Sequence, residues 1–377
     1  MTRQELDLTQ LAPNGLRRGY TTGTCATAAV QAALHKIISG KDSTEIKVLL
    51  PDEGYYLFIP IDRVQLESDG AIRADVIKDA GEDPDQTHHA RIYVRVRRNQ
   101  MGKIVIHRGK GVGLVTEPGL QIPIGEPAVN PVPRQMIMKA VRQILEDEDN
   151  SEQGFDLEIG CENGEEIAKR TFNPRLGILG GISILGTSGI VEPKSLAAFK
   201  ASVEIYIRVA LGDRPLEMVL SPGNLGQRFA REHLELPIKR VVQMSNFIGF
   251  AIDCVSGMLS ELDYDLPRLW MIGHPGKLAK VLDNVWDTHS QESGSAIPAL
   301  IRVARELNLS IDQLDLLERA KTVEHFTELL DPLPIAPSFW REVEDRIGRL
   351  IIQRVQRVDC VKVRLFRMDA RALGTYI

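Results

Sequence analysis

Leu216-Glu217-Met218-Val219-Leu220-Ser221-Pro222-Gly223-Asn224-Leu225-Gly226 is the stretch that decides the fold. Its first five residues are a short apolar run, the next six are turn chemistry, and a helical segment follows to about Leu234. The same order returns twice. Arg240 to Gln243 reads as a second strand, followed by Ser245-Asn246 and a long apolar helix to Leu259. Leu269 to Ile272 reads as a third, followed by Gly273-His274-Pro275-Gly276-Lys277 and a helix to Trp286. Each helix carries the chain back along the sheet, so the strands run parallel and ligand loops gather at their carboxyl ends. A helix over Leu196 to Leu211 precedes the series, and Val361 to Phe366 reads as one more strand.

Before residue 195 the rhythm differs. Ile46 to Leu50, Tyr55 to Ile61, Ala71 to Ile77 and Arg91 to Arg97 are short β-rich runs separated by turn residues. The last alternates strictly: Ile92, Val94 and Val96 face one way, Arg91, Tyr93, Arg95 and Arg97 the other. Gly109 to Gly113 is glycine-rich and Pro118 to Pro133 proline-rich. Gln135 to Leu145 reads as a helix ending in a solvated acidic run, Glu146 to Asp149. Thr171 to Pro193 is poor in charge and rich in glycine, and the main boundary falls near its end. A chain of 377 residues is about twice the usual domain size. Two domains are therefore expected: residues 1–194, an N-terminal β-rich α+β domain with Gly/Thr-rich binding loops, and residues 195–377, an α/β Rossmann-like domain with a mainly parallel sheet.

Apolar residues at 43% and charged residues at 26% are those of an ordinary globular chain. A net charge of −5 argues against a nucleic-acid binder, which carries a basic excess. The longest apolar runs fall far short of a membrane span, and MTRQELDLTQ has no signal-peptide character. Cys25, Cys161, Cys254 and Cys360 form no CxxC or Cys/His spacing. A reduced, cytoplasmic setting with no structural metal is expected.

Gly19-Tyr20-Thr21-Thr22-Gly23-Thr24-Cys25-Ala26-Thr27-Ala28-Ala29 has the character of a binding loop opening a helix. Its glycines admit close backbone approach. Thr24 reads as the N-cap of a helix to about Ile38, whose positive end suits an anion or polar ligand. Tight loop packing alone accounts for the same residues.

Several of these segments together resemble the CbiD family of cobalt-precorrin-5B C(1)-methyltransferases. The matching stretches are GYTTGTCATAA (19–29), IKDAGEDPD (77–85), GKGVGLVTEPGL (109–120), EPAVNPVPRQMI (126–137) and GILGGISILGTSGIVEPKS (177–195). SPGNLG (221–226), SNFIGF (245–250), GHPGKL (273–278) and THS (288–290) continue them in order. The resemblance implies transfer of a methyl group from S-adenosylmethionine, as co-substrate, to ring carbon C(1) of a cobalt-bearing tetrapyrrole. The product is cobalt-precorrin-6A, in the anaerobic route to cobalamin. It implies a tetrapyrrole partner and transient contact with other enzymes of the pathway, with no nucleic acid or membrane. The cobalt belongs to the substrate. A non-catalytic carrier of tetrapyrrole intermediates is the alternative. A nicotinamide oxidoreductase is disfavoured, because no G-x-G-x-x-G follows the first strand.

Methyl transfer from a sulfonium is an in-line displacement in which positioning and charge placement do most of the work. For the donor, the candidates are Ser221, Gly223, Asn224 and Gly226 in the first loop, Asn246 in the second and Gly273 in the third. Ser245 reads more simply as a helix cap. His274 is a candidate proton shuttle or carboxylate partner, and Asp79 the candidate carboxylate of the acidic turn Asp79 to Asp85. A calcium loop is excluded there, since the twelfth position is Ala90 and no helix precedes it. A carboxylate of this turn could hold ribose hydroxyls or face the sulfonium; for Asp83 and Asp85 a solvated turn accounts for them at least as well. Thr21, Thr22, Thr24, Lys277 and His289 are candidate substrate contacts, the lysine as a point charge for a carboxylate. Arg91, Arg95 and Arg97 are either carboxylate grips or a solvated face. Cys25 has no partner base and reads as a packing residue.

Overall fold

The apolar runs near residues 216, 241 and 268 pair as read. The computed structural model describes residues 3–147, 152–289 and 293–374. Glu148 and Asp149 of the acidic run, and Ser290, lie outside the described residues. The fold is mixed α and β, and the chain divides into two compact units, Met1–Ala198 and Phe199–Ile377.

In the second unit, strands Glu217–Ser221, Val241–Gln243, Arg268–Gly273 and Val361–Leu365 form a wholly parallel sheet. Their order across the sheet is second, first, third, fourth. The chain thus leaves the first strand to one side and returns to its other side. Both faces are covered, which is why the strands read as continuous apolar runs. Val219, Val241, Trp270 and Ile272 pack under Phe229 and Ala230 of helix Asn224–His233. Met218, Leu220, Val242, Leu269, Met271, Val363 and Leu365 pack on the other side, against helices Ile248–Glu261 and Ala336–Arg354.

Two expectations change here. The helix after the third strand does not reach Trp286: an α-turn Pro275–Leu278 tightens into a 3-10 turn Ala279–Asp283. Asn284, in the left-handed region at φ 57°, then stops it. Helices Ile297–Glu306, Ile311–Glu318, Val323–Leu330 and Ala336–Arg354 add to the units read above. Their entries carry ordinary start signals, among them the Ser310–Gln313 capping box and Thr322, whose hydroxyl accepts from the His325 N–H.

The first unit is built on a five-stranded sheet in the order Arg63–Leu66, Ile72–Ile77, Arg91–Asn99, Gly154–Cys161, Ile104–Arg108. Only its last pair is parallel. The predicted alternation holds: Ile92, Val94 and Val96 are fully buried. Val94 stands between Ala74 and Ile159, and Val96 between Ile72 and Leu157. Helix Thr22–Ser39 packs against this apolar face, with Cys25, Ala26, Ala28, Ala29, Ala32 and Ala33 wholly buried; small side chains let the helix axis come close. Its N-cap is Thr21, not Thr24: the Thr21 hydroxyl accepts from the Thr24 N–H. Helix Pro131–Asp147 starts earlier than read, because proline is tolerated in a first turn.

Candidate functional site

The three loops of the parallel sheet meet at its carboxyl end. Ser221 closes the central strand, fully buried, and its hydroxyl donates to the Gly223 carbonyl at 3.2 Å. A methyl added at Gly226 would overlap Ser221 Oγ and lie 2.5 Å from its Cβ, so glycine there lets the following helix press onto the strand. Gly223 meets nothing within 4 Å on its Cβ side. It borders open space beside the first turn of the helix that starts at Asn224, whose leading N–H groups lack intrahelical partners. A Cβ on Gly273 would come within 2.9 Å of Pro222 Cδ, so the first and third loops touch.

Asn246 joins the second loop to the third. Its Oδ1 accepts from Lys277 Nζ at 3.3 Å, and its carbonyl accepts from the Thr288 N–H at 3.0 Å. Lys280, also buried, donates to the Thr288 carbonyl and to Ser293 Oγ. Burial lowers the pKa of Lys277, and the nearby Lys280 charge adds to the effect. Burial lowers that of Lys280 as well. Two ammonium groups with few carboxylates near them make this end of the sheet suited to an anionic group. His289 is exposed, one residue beyond buried Thr288.

His274 is committed at both ring nitrogens. Nδ1 accepts from the Gly276 N–H at 3.0 Å, so the proton lies on Nε2, which donates to Glu324 Oε2 at 2.9 Å. Glu324 is held in turn by Arg367. The ring therefore holds the third loop to helix Val323–Leu330 and presents no free nitrogen for proton transfer.

Asp79 and the threonines belong to the first unit. Asp79 accepts both Arg17 guanidinium nitrogens, at 2.7 and 3.1 Å, and the Gly81 N–H at 2.8 Å. The Arg17 hydrogen bonds hold its carboxyl below the usual range. Gly81, at φ +65°, lies where a Cβ would overlap the Arg17 carbonyl. Thr21, Thr22 and Thr24 are buried. Thr22 Oγ1 donates toward the Ser183 and Leu185 carbonyls and accepts the Leu185 N–H at 2.8 Å. Thr24 Oγ1 donates to the Gly189 carbonyl at 2.6 Å. These hydroxyls clamp the glycine-rich segment onto the helix start. Asp85 is not a solvated turn residue: it pairs with Lys78, which is 1% exposed. Arg91 pairs with Asp62 and Glu162, Arg95 with Glu67, Asp69 and Glu158, and Arg97 with Asp69. Their charges are answered within the protein. Cys25 is buried and its thiol is pushed up to about 12, chiefly by burial, as a packing residue requires.

Arg17, Lys78, Lys280, Glu324 and Arg367 escaped the sequence reading. Each makes its key contact with a residue distant along the chain, except Lys78, seven residues from Asp85 in the same turn, and Lys280, whose signal was its position one turn after Lys277. Among the described residues, no group of three or more His, Cys, Asp or Glu is placed to hold a metal ion, and no helix is long and apolar enough to cross a membrane.

Fold and site define a mixed α+β protein with polar loops gathered at the carboxyl end of a parallel sheet. The family model described as CbiD matches residues 9–193, and that described as the CbiD C-terminal domain matches residues 287–376. The chain is 52% identical over 372 residues to the cobalt-precorrin-5B C(1)-methyltransferase of Ralstonia nicotianae, covering 99% of this chain and 97% of that protein. It is 48% identical over 372 residues to the protein of the same name from Chromobacterium violaceum, covering 99% and 98%. A crystal structure of the cobalamin biosynthesis protein cbiD from Archaeoglobus fulgidus matches with 26% identity and a TM-score of 0.40, over 79% of this chain and 86% of that one. The chain belongs to the CbiD family.

Proposed function

We propose that this chain transfers the methyl group of S-adenosylmethionine to ring carbon C(1) of cobalt-precorrin-5B, forming cobalt-precorrin-6A in anaerobic cobalamin biosynthesis. The observation that carries the reading is the 52% identity, over nearly both full lengths, to a relative named for this reaction. In the transfer, the electron pair of an electron-rich ring carbon forms the new C–C bond. The methyl–sulfur bond breaks with its pair remaining on sulfur, and S-adenosylhomocysteine leaves. No protein nucleophile is needed, so the chain's work is to bind and orient.

In this reading the second unit is a Rossmann-like domain that takes the donor, with the boundary near residue 195. The open space at Gly223 admits the nucleoside. Asn224 and Asn246 supply amide groups, and Lys277, supported by Lys280, meets the carboxylate of the methionine end. Ser221, Gly226 and Gly273 set the spacing of the loops, and His274 holds the third loop in place. His289 stands at the rim of the same sheet end. Asp79, with Arg17, and Thr21, Thr22 and Thr24 shape the loop that opens the first unit's helix. Four free cysteines agree with a cytoplasmic workplace.

The test is calorimetric titration with S-adenosylhomocysteine. Wild type is expected to bind, and Asn246→Ala and Lys277→Ala to lose at least tenfold in affinity. Absence of binding by wild type, even with a tetrapyrrole present, would sink the donor assignment and leave a tetrapyrrole carrier as the better reading.

A further inference from the structure

A large cavity lies within the first unit. It is a groove of about 1050 Å³ between helix Thr22–Ser39, helix Pro131–Asp147 and the strand Glu45–Leu49. Sites for drug-sized ligands span roughly 300 to 1,000 Å³, so this groove stands at the upper end of that range. One wall is a single helix face, Thr27, Gln31 and His35, spaced four apart. Leu49, Leu50, Val132, Met136, Met138 and Ile144 give it apolar surface, with the methionines able to adapt to a flat ring.

The charge around this groove departs from the pattern elsewhere in the unit. On the five-stranded sheet Arg91, Arg95 and Arg97 are each answered by a carboxylate. Around the groove stand Arg3, Lys47, Arg134, Lys139 and Arg142. Lys139 pairs with Glu53, and Arg134 is fixed by Glu126 at 3.0 Å and by the Val129 carbonyl at 2.9 Å. Among the described residues, Lys47 and Arg142 form no ion pair with a carboxylate, and Lys47 Nζ sits 3.7 Å over the Tyr56 ring. Arg3 stands by Glu53, whose carboxyl Lys139 and, more weakly, Arg3 hold below the usual range. Gln31 adds a second signal. Its Oε1 is buried with no hydrogen-bond partner among the described residues, while its Nε2 reaches the Lys47 carbonyl at 3.5 Å. The unpaired carboxylates of the lining, Glu146 and Asp147, lie at the last turn of the second helix, one turn beyond Arg142 and forming no ion pair with it.

We infer that this groove binds the tetrapyrrole, its macrocycle against the apolar surface and its peripheral carboxylates on Lys47 and Arg142. Apolar walls with unanswered cations at the rim match a large ring edged by acid side chains, and a chain of net charge −5 would otherwise repel such a polyanion. The identity of the macrocycle rests on the methyltransferase reading above; the location rests on the groove.

The test uses uroporphyrin III, an octacarboxylate, titrated into the full chain by fluorescence. Wild type is expected to bind, more weakly as salt rises, and Lys47→Glu/Arg142→Glu to lose at least tenfold. Thermal melting and titration with S-adenosylhomocysteine serve as the fold controls for the double variant. Failure of wild type to bind uroporphyrin, retention of affinity within twofold by the double variant, or loss of binding instead in Lys277→Ala would overturn the inference. None of those results touches the methyltransferase reading, which stands or falls on S-adenosylhomocysteine binding.

Discussion

Gly226→Ala isolates the contact that sets the geometry of the first loop. The new methyl would overlap Ser221 Oγ and lie 2.5 Å from Ser221 Cβ. Turning the serine side chain moves the oxygen but not the Cβ, which the strand backbone holds, so the helix Asn224–His233 itself must move. Overpacking of this kind costs about 1–3 kcal/mol. Alanine in place of glycine returns up to about 1 kcal/mol of helix preference, less so near a helix start. The net expectation is a loss of about 1–2 kcal/mol. With Ser221→Gly already present, the nearest remaining atom is Ile272 Cγ1 at 3.5 Å, an ordinary contact. The same Gly226→Ala change should then be neutral or stabilising by about 0.5 kcal/mol, so the two positions couple by about 2 kcal/mol. Urea unfolding followed by tryptophan fluorescence measures this directly, because Trp270, Trp286 and Trp340 all lie in the second unit. An equal cost of Gly226→Ala in both backgrounds, or no cost in either, would refute the reasoning.

Two other outcomes follow from buried groups. Burial pushes the Glu344 carboxyl up to about 7, against the pull of the Leu365 N–H at 2.7 Å and of Arg364. Its folded pKa lies above its unfolded value, so the stability it confers is complete below about pH 4.5 and is lost as pH rises through 7, by about 3 kcal/mol at most. Glu344→Gln should therefore match wild type in urea at pH 5 and exceed it at pH 8; persistence of the same pH slope in the variant would clear Glu344 of the effect. Cys25 and Cys161 are buried, and burial pushes both thiols up to about 12. Iodoacetamide at pH 8 should leave both unmodified in the native protein and modify both in urea, as read by peptide mass; native modification of Cys25 would contradict its role as a packing residue.

Local pattern carried the sequence reading a long way in particular places. The runs at residues 216, 241 and 268 were legible because a parallel strand covered on both faces is apolar at every position. The Arg91 to Arg97 run was legible because one face is buried and the other charged. Strand Gly154–Cys161 was not: its residues Asp156 and Glu158 break the apolar run, and they are admitted because that face of the sheet carries Arg95 and its neighbours. The helix after the third strand ends before Trp286 because Asn284, a residue that tolerates the left-handed conformation, stops it; the apolar pattern continuing to Trp286 masked that local signal.

By itself the sequence determined the succession of parallel strands, the loops that end them and, through its ordered motifs, the family. Tertiary structure alone decided the strand order and the partners of the site residues: Glu324 for His274, Arg17 for Asp79, Lys277 for Asn246. It alone assembled a cationic groove from Arg3, Lys47 and Arg142, residues 139 positions apart at the extremes. The physical reason is range. Propensity, capping and hydrophobic period act over a few residues and leave a mark there. A hydrogen bond or ion pair between distant segments depends on where packing of the whole core brings them, and no local pattern records that.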